Sequence, residues 1–196
     1  MLPIASRGRR PQDSRARLLL AARRLFVERG YHATRPQDIS REAGLGHGTF
    51  YLHFTDKQAC FLAFVDEARA ELDAALSQHT AGATDLATAV RATLEAVYEY
   101  GAANPGVLPT AMNDAAVIAA DQATSETLVD KWATDWALML RTFSPAAVGV
   151  SDADAQVIGA AVVGIIHQGS GYAQRHGSPP GSAIDVLTRL IVKALG

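Results

Sequence analysis

Apolar residues recur along the chain at spacings of three and four, which is the period of an amphipathic helix, and no stretch alternates like a half-buried strand. Leu18, Ala22, Leu25 and Phe26 form the first such stripe, and Gly30 follows where a helix is expected to stop. Comparable stripes continue to the C-terminus without an internal repeat. The pattern predicts an all-α protein with about eight to ten helices and no sheet.

Two short helices are predicted at 36–43 and 47–53, joined by Gly44, which suits a left-handed turn. Each is too short to be stable in isolation and must pack on the longer helices on either side. Two short helices joined in this way form a helix-turn-helix, whose second helix enters the major groove of DNA.

Placing Phe50 and Phe54 toward the core determines the outward side of the second short helix, because successive helical residues are rotated by about 100°. The outward residues supply a position without side-chain bulk, hydroxyls for phosphates or base edges, and an apolar contact for a thymine methyl group. They are Gly48, Thr49, Tyr51 and Leu52. For Tyr51 the alternative is a half-buried aromatic at a helix end.

The net charge of −2 hides an asymmetry between the two parts of the chain. Residues 1–60 contain eleven Lys or Arg and five Asp or Glu, a balance of +6, whereas the other 136 residues contain seven and fifteen, a balance of −8. A basic N-terminal part favours a polyanionic partner, and a solvated helix face is the alternative. Arg7, Arg9 and Arg10 precede the first helix, and they either contact DNA or form a solubilising tail.

Composition excludes several classes of protein. The single cysteine, Cys60, leaves no disulfide scaffold and no zinc site built from thiolates. The longest apolar run, 157–166, has ten residues where a bilayer-spanning helix needs about 20, and the N-terminal arginines are not followed by the apolar stretch of a signal peptide. We therefore expect a cytoplasmic protein with no membrane partner.

No group of residues predicts catalysis. His167 and His176 are nine residues apart, without a metal-ligand spacing, and the glycine-rich tripeptide at 169–171 follows a helix pattern rather than a strand. Cys60 falls in the apolar register of a helix. We expect no enzyme, no cofactor and no metal site.

Local signals predict where the later helices begin. Thr55 is expected to cap a long helix, and Ser151 and Ser182 are expected to cap the last two. Pro109 is expected to interrupt the segment that follows the Asn-Pro-Gly break at 104–106.

The helix-turn-helix region resembles the N-terminal signature of the TetR family of transcriptional regulators, over about residues 15–62. Glycines, aromatic residues and apolar residues all fall in register with that signature. The matching segments are GYHAT at 30–34, DI at 38–39, AGL at 43–45, GTFYLHF at 48–54, and Lys57. Arg35 stands where a Ser or Thr often caps the second helix in the family, so Thr34 is expected to cap it instead.

The resemblance implies an N-terminal helix-turn-helix DNA-binding domain of three helices at 1–55 and a C-terminal helical ligand-binding and dimerisation domain at 56–196. It implies a ligand-responsive repressor that binds a pseudo-palindromic operator on double-stranded DNA as a homodimer and is released by a small hydrophobic effector. The alternative is an effector-independent or architectural DNA-binding regulator. The residues then expected to contact DNA are Arg35, Gln37, His47, Gly48, Thr49, Tyr51, Leu52, His53 and Lys57.

Polar or aromatic residues within the apolar helices of the acidic body are the candidates for an effector site, and each alone is also explained as a core or interface residue. The absence of an Arg or Lys cluster disfavours a strongly anionic effector and favours a neutral or cationic hydrophobic one. The candidates are Tyr98, Tyr100, Met112, Trp132, Trp136 and His167.

By the same resemblance, helices at about 122–143 and 153–175 are expected to form the dimer interface. The second is rich in small residues, which allow close approach of a partner helix or serve a contact within the chain. The candidate interface residues are Leu128, Trp136, Ala161, Gly164, Ile165 and Gln168.

Overall fold

The computed structural model describes residues 11–119, 128–144 and 149–195. Within these ranges the chain folds into nine α-helices and no strand, which confirms the predicted all-α class. Arg7, Arg9 and Arg10 lie outside the described residues, as does the side chain of Leu128. The helices are α1 Pro11–Ala33, α2 Pro36–Glu42, α3 His47–Tyr51, α4 Lys57–Thr80, α5 Leu86–Ala103, α6 Val107–Ala119, α7 Leu128–Phe143, α8 Asp152–Arg175 and α9 Pro180–Leu195.

Gly30 breaks the regular part of α1, as predicted, with φ +77°. The prediction that Thr34 caps α2 is wrong, because its buried hydroxyl donates to the carbonyl oxygens of Gly30 at 2.9 Å and Leu25 at 3.2 Å. Arg35 is the N-cap of α2 and makes no side-chain cap hydrogen bond, while Pro36 holds the first helical position, where a missing N–H costs nothing.

Gly44 turns the chain between α2 and α3 with φ +63°, a left-handed conformation that glycine adopts without strain. The α3 helix ends at Tyr51, two residues before the predicted end at His53. Phe50 is fully buried and Phe54 is 4% exposed, so both point inward as predicted.

The core of the helix-turn-helix continues into α4. Phe26 of α1 meets Phe61 of α4 edge to face, with ring centroids 5.0 Å apart, and Phe64 lies 5.9 Å from Phe26. Burying such side chains stabilises the fold by about 1.5–3 kcal/mol each. The N-terminal turns of α4 therefore belong to the core of α1, α2 and α3. The predicted domain division after residue 55 stays a prediction.

Two of the predicted caps are wrong. The N-cap of α4 is Asp56, whose carboxylate accepts the Ala59 N–H at 2.7 Å, and Thr55 lies outside the helix. Ser182 lies inside the first turn of α9, which already begins at Pro180. Asp56 offers a side-chain oxygen like that of Thr55, and Pro180 suits the first turn of a helix, where its missing N–H has no partner.

The predicted cap at Ser151 is confirmed, whereas the predicted interruption at Pro109 is wrong. Ser151 caps α8 as predicted and accepts the Asp154 N–H at 3.1 Å. Pro109 does not interrupt the segment after 106, because it is the third residue of α6, where a backbone N–H has no partner within the helix.

The remaining helices pack into a body on which the helix-turn-helix rests. Helix α1 contacts α4 and α6, α4 contacts α5 and α6, α5 contacts α9, and α7 and α8 form the most extensive pair. Gly159 permits this last contact, since a β-carbon there would collide with the carbonyl oxygen of Ala133. No helix of the described part of the chain combines the length and the apolar character needed to cross a bilayer.

Candidate functional site

The outer side of α3 is largely exposed, and we call its residues 47–49, 51 and 52 the α3 surface. Tyr51 is 53% exposed and Leu52 is 80% exposed, whereas Phe50 between them is fully buried. Tyr51 is thus exposed rather than half-buried. No acidic residue occurs between Glu42 and Asp56, so nothing in this stretch repels a phosphate.

The nine predicted DNA-contact residues all lie on α2, on α3 or in the short segments next to them. Six are exposed and three are half-buried. The exposed residues are Arg35, Gln37, His47, Gly48, Tyr51 and Leu52, and the half-buried residues are Thr49, His53 and Lys57.

Contacts from α1 hold the α3 surface in place. The guanidinium of Arg17 donates to the carbonyl oxygen of Ala43 at the end of α2, and the guanidinium of Arg15 lies 5.3 Å from the centroid of the Phe54 ring. His47 packs edge to face on Tyr51 with centroids 5.3 Å apart. The contacts from α1 thus fix the residues before and after α3, and His47 and Tyr51 support each other on it.

Part of the basic charge of the N-terminal segment is used inside the fold. Arg17 holds α2, Arg23 binds Glu71, and Arg24 binds Glu42 at 2.7 Å. A partner therefore meets fewer free cations than the charge balance suggested.

Lys57, the first residue of α4, contacts the C-terminal end of α1. Its Nζ donates to the carbonyl oxygen of Tyr31 at 2.9 Å and lies 4.1 Å from the centroid of the Tyr31 ring. Burial lowers the pKa of this lysine. Lys57 thus supports the helix-turn-helix as well as offering a cation beside the α3 surface.

A large cavity, which we call the body cavity, lies among α4, α5, α6, α7, α8 and α9 and has a volume of about 1190 Å³. Five of the six predicted effector residues line it, namely Tyr98, Met112, Trp132, Trp136 and His167. Tyr100 does not, because its hydroxyl donates instead to Glu71 at 2.8 Å. Burial raises the pKa of the Tyr100 phenol and is the largest influence on it. The neighbouring Glu71 raises this pKa further, whereas Arg23 lowers it.

Charged groups of the cavity wall are largely paired. Asp73 binds Lys131 at 2.6 Å and lies 3.4 Å from the indole N–H of Trp132. Burial lowers the pKa of His167, and the nearby charge of Arg175 acts in the same direction, so this imidazole is neutral at pH 7.

The sequence interpretation missed Asn104, which joins the body cavity to α1. Asn104 lines the cavity, and its side-chain oxygen accepts a hydrogen bond from Arg23 at 2.7 Å. Arg23 also forms a two-pronged ion pair with Glu71 of α4. The Asn-Pro-Gly break marked this position only as a helix end, and no local pattern pointed to a partner 81 residues away.

The predicted dimer residues are divided between surface and interior. Ala161, Gly164 and Gln168 are exposed on α8 and Ile165 is half-buried, whereas Trp136 is only 6% exposed and faces the body cavity. Other small residues of α8 serve contacts within the chain, since a β-carbon at Gly159 or Gly169 would collide with α7 or α9. The large exposed apolar side chains here are Val157 and Tyr172 on α8 and Val186 and Leu190 on α9.

Cys60 is fully buried, and burial raises the pKa of its thiol to about 12. This thiol is therefore protonated and unreactive in the folded chain, which agrees with its predicted place in an apolar register.

Known proteins resemble the chain in the helix-turn-helix and in overall fold. Residues 18–64 match the family model described as bacterial regulatory proteins, tetR family. The transcriptional activator FasR of Mycolicibacterium smegmatis is 35% identical over 48% of this chain and 44% of its own length. The transcriptional repressor AcnR of Corynebacterium efficiens is 33% identical over 47% of each chain. The chain thus matches less than half the length of these curated relatives.

Solved structures extend the likeness to the whole fold. A TetR-like transcriptional regulator from Rhodococcus sp. RHA1 superposes with a TM-score of 0.70 at 20% identity, covering 100% of this chain and 98% of that chain. The fatty acid degradation regulator FadR from Bacillus halodurans superposes with a TM-score of 0.71 at 17% identity, covering 93% and 95%. The helix-turn-helix of the chain thus matches the TetR family in sequence, and its described helices have the fold of TetR-like regulators.

Proposed function

We propose that the chain is a ligand-responsive repressor, which binds a pseudo-palindromic operator as a homodimer and is released by a small hydrophobic effector in the body cavity. Its partners are then double-stranded DNA, a second copy of the chain and the effector, and the DNA partner implies a cytoplasmic location. The predicted DNA-contact residues act at the α3 surface, with Tyr51, His53 and Lys57 on phosphates and His47 and Thr49 on bases.

One observation carries the ligand response: Asn104 lines the body cavity and also binds Arg23 of α1. Next to it, Gly106 also lines the cavity, and a β-carbon at this glycine would lie only 2.6 Å from Val27 of α1. A ligand that shifts the 104–106 segment therefore acts on a helix that positions the α3 surface. Binding then favours a geometry in which the two α3 helices of the dimer no longer match adjacent major grooves.

The exposed apolar side chains of α8 and α9 support the homodimer. Val157, Tyr172, Val186 and Leu190 are each at least half exposed, and burying them against a second copy would remove them from water. A two-fold dimer presents two α3 helices to half-sites whose centres are about 34–36 Å apart or a multiple of that distance.

The decisive experiment selects genomic DNA with the purified chain and then measures the linkage between DNA and ligand. Compounds that raise the melting temperature are titrated into the protein with and without the selected operator. Because coupling is reciprocal, the operator must weaken ligand binding by the same factor by which ligand weakens operator binding. Equal ligand affinity in both titrations would contradict the proposed release and would favour the effector-independent regulator.

The sign of regulation needs its own measurement, because one matched relative is an activator and another is a repressor. A reporter gene placed behind the selected operator is expected to be expressed more strongly when the chain is absent. Lower expression without the chain would indicate activation instead.

A further inference from the structure

The wall of the body cavity contains polar groups whose hydrogen-bonding capacity the fold does not use. Among the described residues, four buried side-chain nitrogen or oxygen atoms have no hydrogen-bond partner. Two of them are the hydroxyl oxygens of Tyr98 and Ser170, and both residues line the cavity. Tyr98 is 8% exposed and Ser170 is 6% exposed, so both are more than nine-tenths buried. Such groups are rare, because a hydroxyl that gives up water needs another partner.

Ser170 belongs to an uncharged polar strip on α8, formed by His167, Ser170 and Gln174. These residues follow one another at spacings of three and four, so they share a face of the helix, and all three line the body cavity. Tyr98 belongs to α5, which approaches α8 near Gly101, where a β-carbon would lie 3.9 Å from the Gln174 amide nitrogen. The cavity therefore has neutral polar groups on two neighbouring helices.

Carboxylates in other parts of the wall already have partners. Asp73 binds Lys131 at 2.6 Å, and Glu99 contacts His79 at 3.1 Å. The wall also contains a cation, Arg175, whose charge acts on His167 and which would attract an anionic group of a ligand. Beside the Tyr98 and Ser170 hydroxyls themselves, a full charge would leave water and gain only hydroxyl dipoles in exchange. An uncharged oxygen loses far less on leaving water.

We propose that the Tyr98 and Ser170 hydroxyls bind an uncharged oxygen function, such as an alcohol, ketone, ester or lactone, on an otherwise apolar effector. Each hydroxyl can donate or accept a hydrogen bond, so carbonyl and hydroxyl oxygens both fit. Apolar residues elsewhere in the wall, among them Leu72, Val97 and Ile166, bind the rest of the molecule. This inference rests on the proposed function, because it assigns the ligand class of the same cavity.

The two tryptophans of the chain, Trp132 and Trp136, both line the cavity, so intrinsic fluorescence reports its occupation directly. Decanol, a decanone, decanoate and decylammonium have ten-carbon chains and differ in their polar group, and each is titrated into the purified chain. We expect the alcohol and the ketone to bind at least about tenfold more tightly than either ion. Equal or tighter binding of an ion, or no binding of any of the four probes, overturns the proposal.

Conservative variants identify the residues responsible. Tyr98→Phe and Ser170→Ala are each expected to weaken decanone binding about three- to tenfold, the loss of one hydrogen bond. Tyr100→Phe is the matched control, because Tyr100 lies on the same helix but its hydroxyl binds Glu71 outside the cavity wall. Unchanged decanone affinity in both cavity variants would also contradict the assignment.

Thermal stability separates a ligand-binding role from a structural one. Without probe, Tyr98→Phe is expected to leave the melting temperature unchanged or to raise it, since it removes an unpartnered hydroxyl, whereas Tyr100→Phe is expected to lower it. A lower melting temperature for Tyr98→Phe would overturn the proposal. Operator binding without probe tests the proposed function separately, so a chain that binds DNA but prefers ions contradicts this inference alone.

Discussion

Arg23 of α1 and Glu71 of α4 form a two-pronged ion pair, with Nη1 donating to Oε1 at 2.8 Å and Nη2 donating to Oε2 at 2.9 Å. The Tyr100 hydroxyl donates to the same carboxylate at 2.8 Å, and Asn104 accepts from the same guanidinium at 2.7 Å. The next residue of α4, Leu72, lines the body cavity. This ion pair thus joins the helix under the α3 surface to a helix of the cavity wall.

We expect Glu71→Gln to lower the free energy of unfolding by about 1 kcal/mol, because a partly exposed ion pair contributes little and the amide keeps some of the hydrogen bonds. Urea denaturation measures the change. Glu67→Gln is the control, since Glu67 lies on the same helix one turn earlier and only approaches Arg23 at 3.8 Å. An equal effect of both substitutions would show that the two-pronged geometry is unimportant.

The contribution of Glu71 is expected to depend on pH. The hydrogen bonds from Arg23 hold the pKa of Glu71 below its ordinary value in the folded chain. The stabilisation is therefore fully present above the unfolded pKa of about 4.3 and is lost as the pH falls through the folded pKa. Denaturation of the parent chain and Glu71→Gln across acidic pH should show two stabilities that differ at pH 6 and converge in acid. A constant difference would contradict this.

Tyr51→Phe is expected to weaken binding to all DNA sequences by about three- to tenfold, since we assign its exposed hydroxyl to a phosphate. Substitutions at His47 or Thr49 are instead expected to change the preferred sequence. Fluorescence anisotropy with operator and random duplexes at fixed salt distinguishes the two effects. If neither substitution set alters binding, α3 is not the reading helix.

Gly159→Ala is expected to destabilise the chain by about 1–3 kcal/mol, because its β-carbon would collide with the carbonyl oxygen of Ala133. Gly164→Ala on the same helix meets no neighbour within 4 Å and is expected to stabilise the isolated chain slightly, since alanine favours a helix over glycine. Thermal denaturation compares the two variants. Equal effects would mean that α7 and α8 do not pack as closely as described.

Leu190→Glu is expected to weaken dimerisation at least tenfold, because it places a charge on the exposed apolar face of α9 that we assign to the interface. Sedimentation equilibrium measures the dissociation constant. Leu20→Glu is the control, as Leu20 is 70% exposed on α1, away from that face. A dimer that tolerates Leu190→Glu but not Leu20→Glu would place the interface at α1 and contradict its assignment to α9.

Features that depend on neighbouring residues were predictable from the sequence. The left-handed turn at Gly44 and the inward faces of Phe50 and Phe54 follow from backbone preference and helical period, and the structure confirms them. Helix N-caps were harder to predict than turns. Thr55 and Asp56 are adjacent, and either side chain is able to accept a free N–H in the first turn of α4.

Features that depend on distant contacts were not predictable. Tyr98 and Tyr100 are two positions apart, so they point to nearly opposite sides of α5, and only the packing decides which of them meets the cavity. The bond between Arg23 and Asn104 spans 81 residues, and neither residue carries a local sign of it. Small residues on α8 likewise serve either α7 or the surface, depending on which face the neighbouring helix occupies.

The buried thiol at the start of α4 makes the junction between the helix-turn-helix and the body observable in solution. Cys60 is the only cysteine of the chain, so a thiol-specific reagent can modify the protein only when this part of the core opens. The rate at which Cys60 is labelled therefore reports local opening between α1 and α4, and no engineered probe is needed. A ligand that loosens this junction should increase the labelling rate of Cys60, and a bound operator should decrease it.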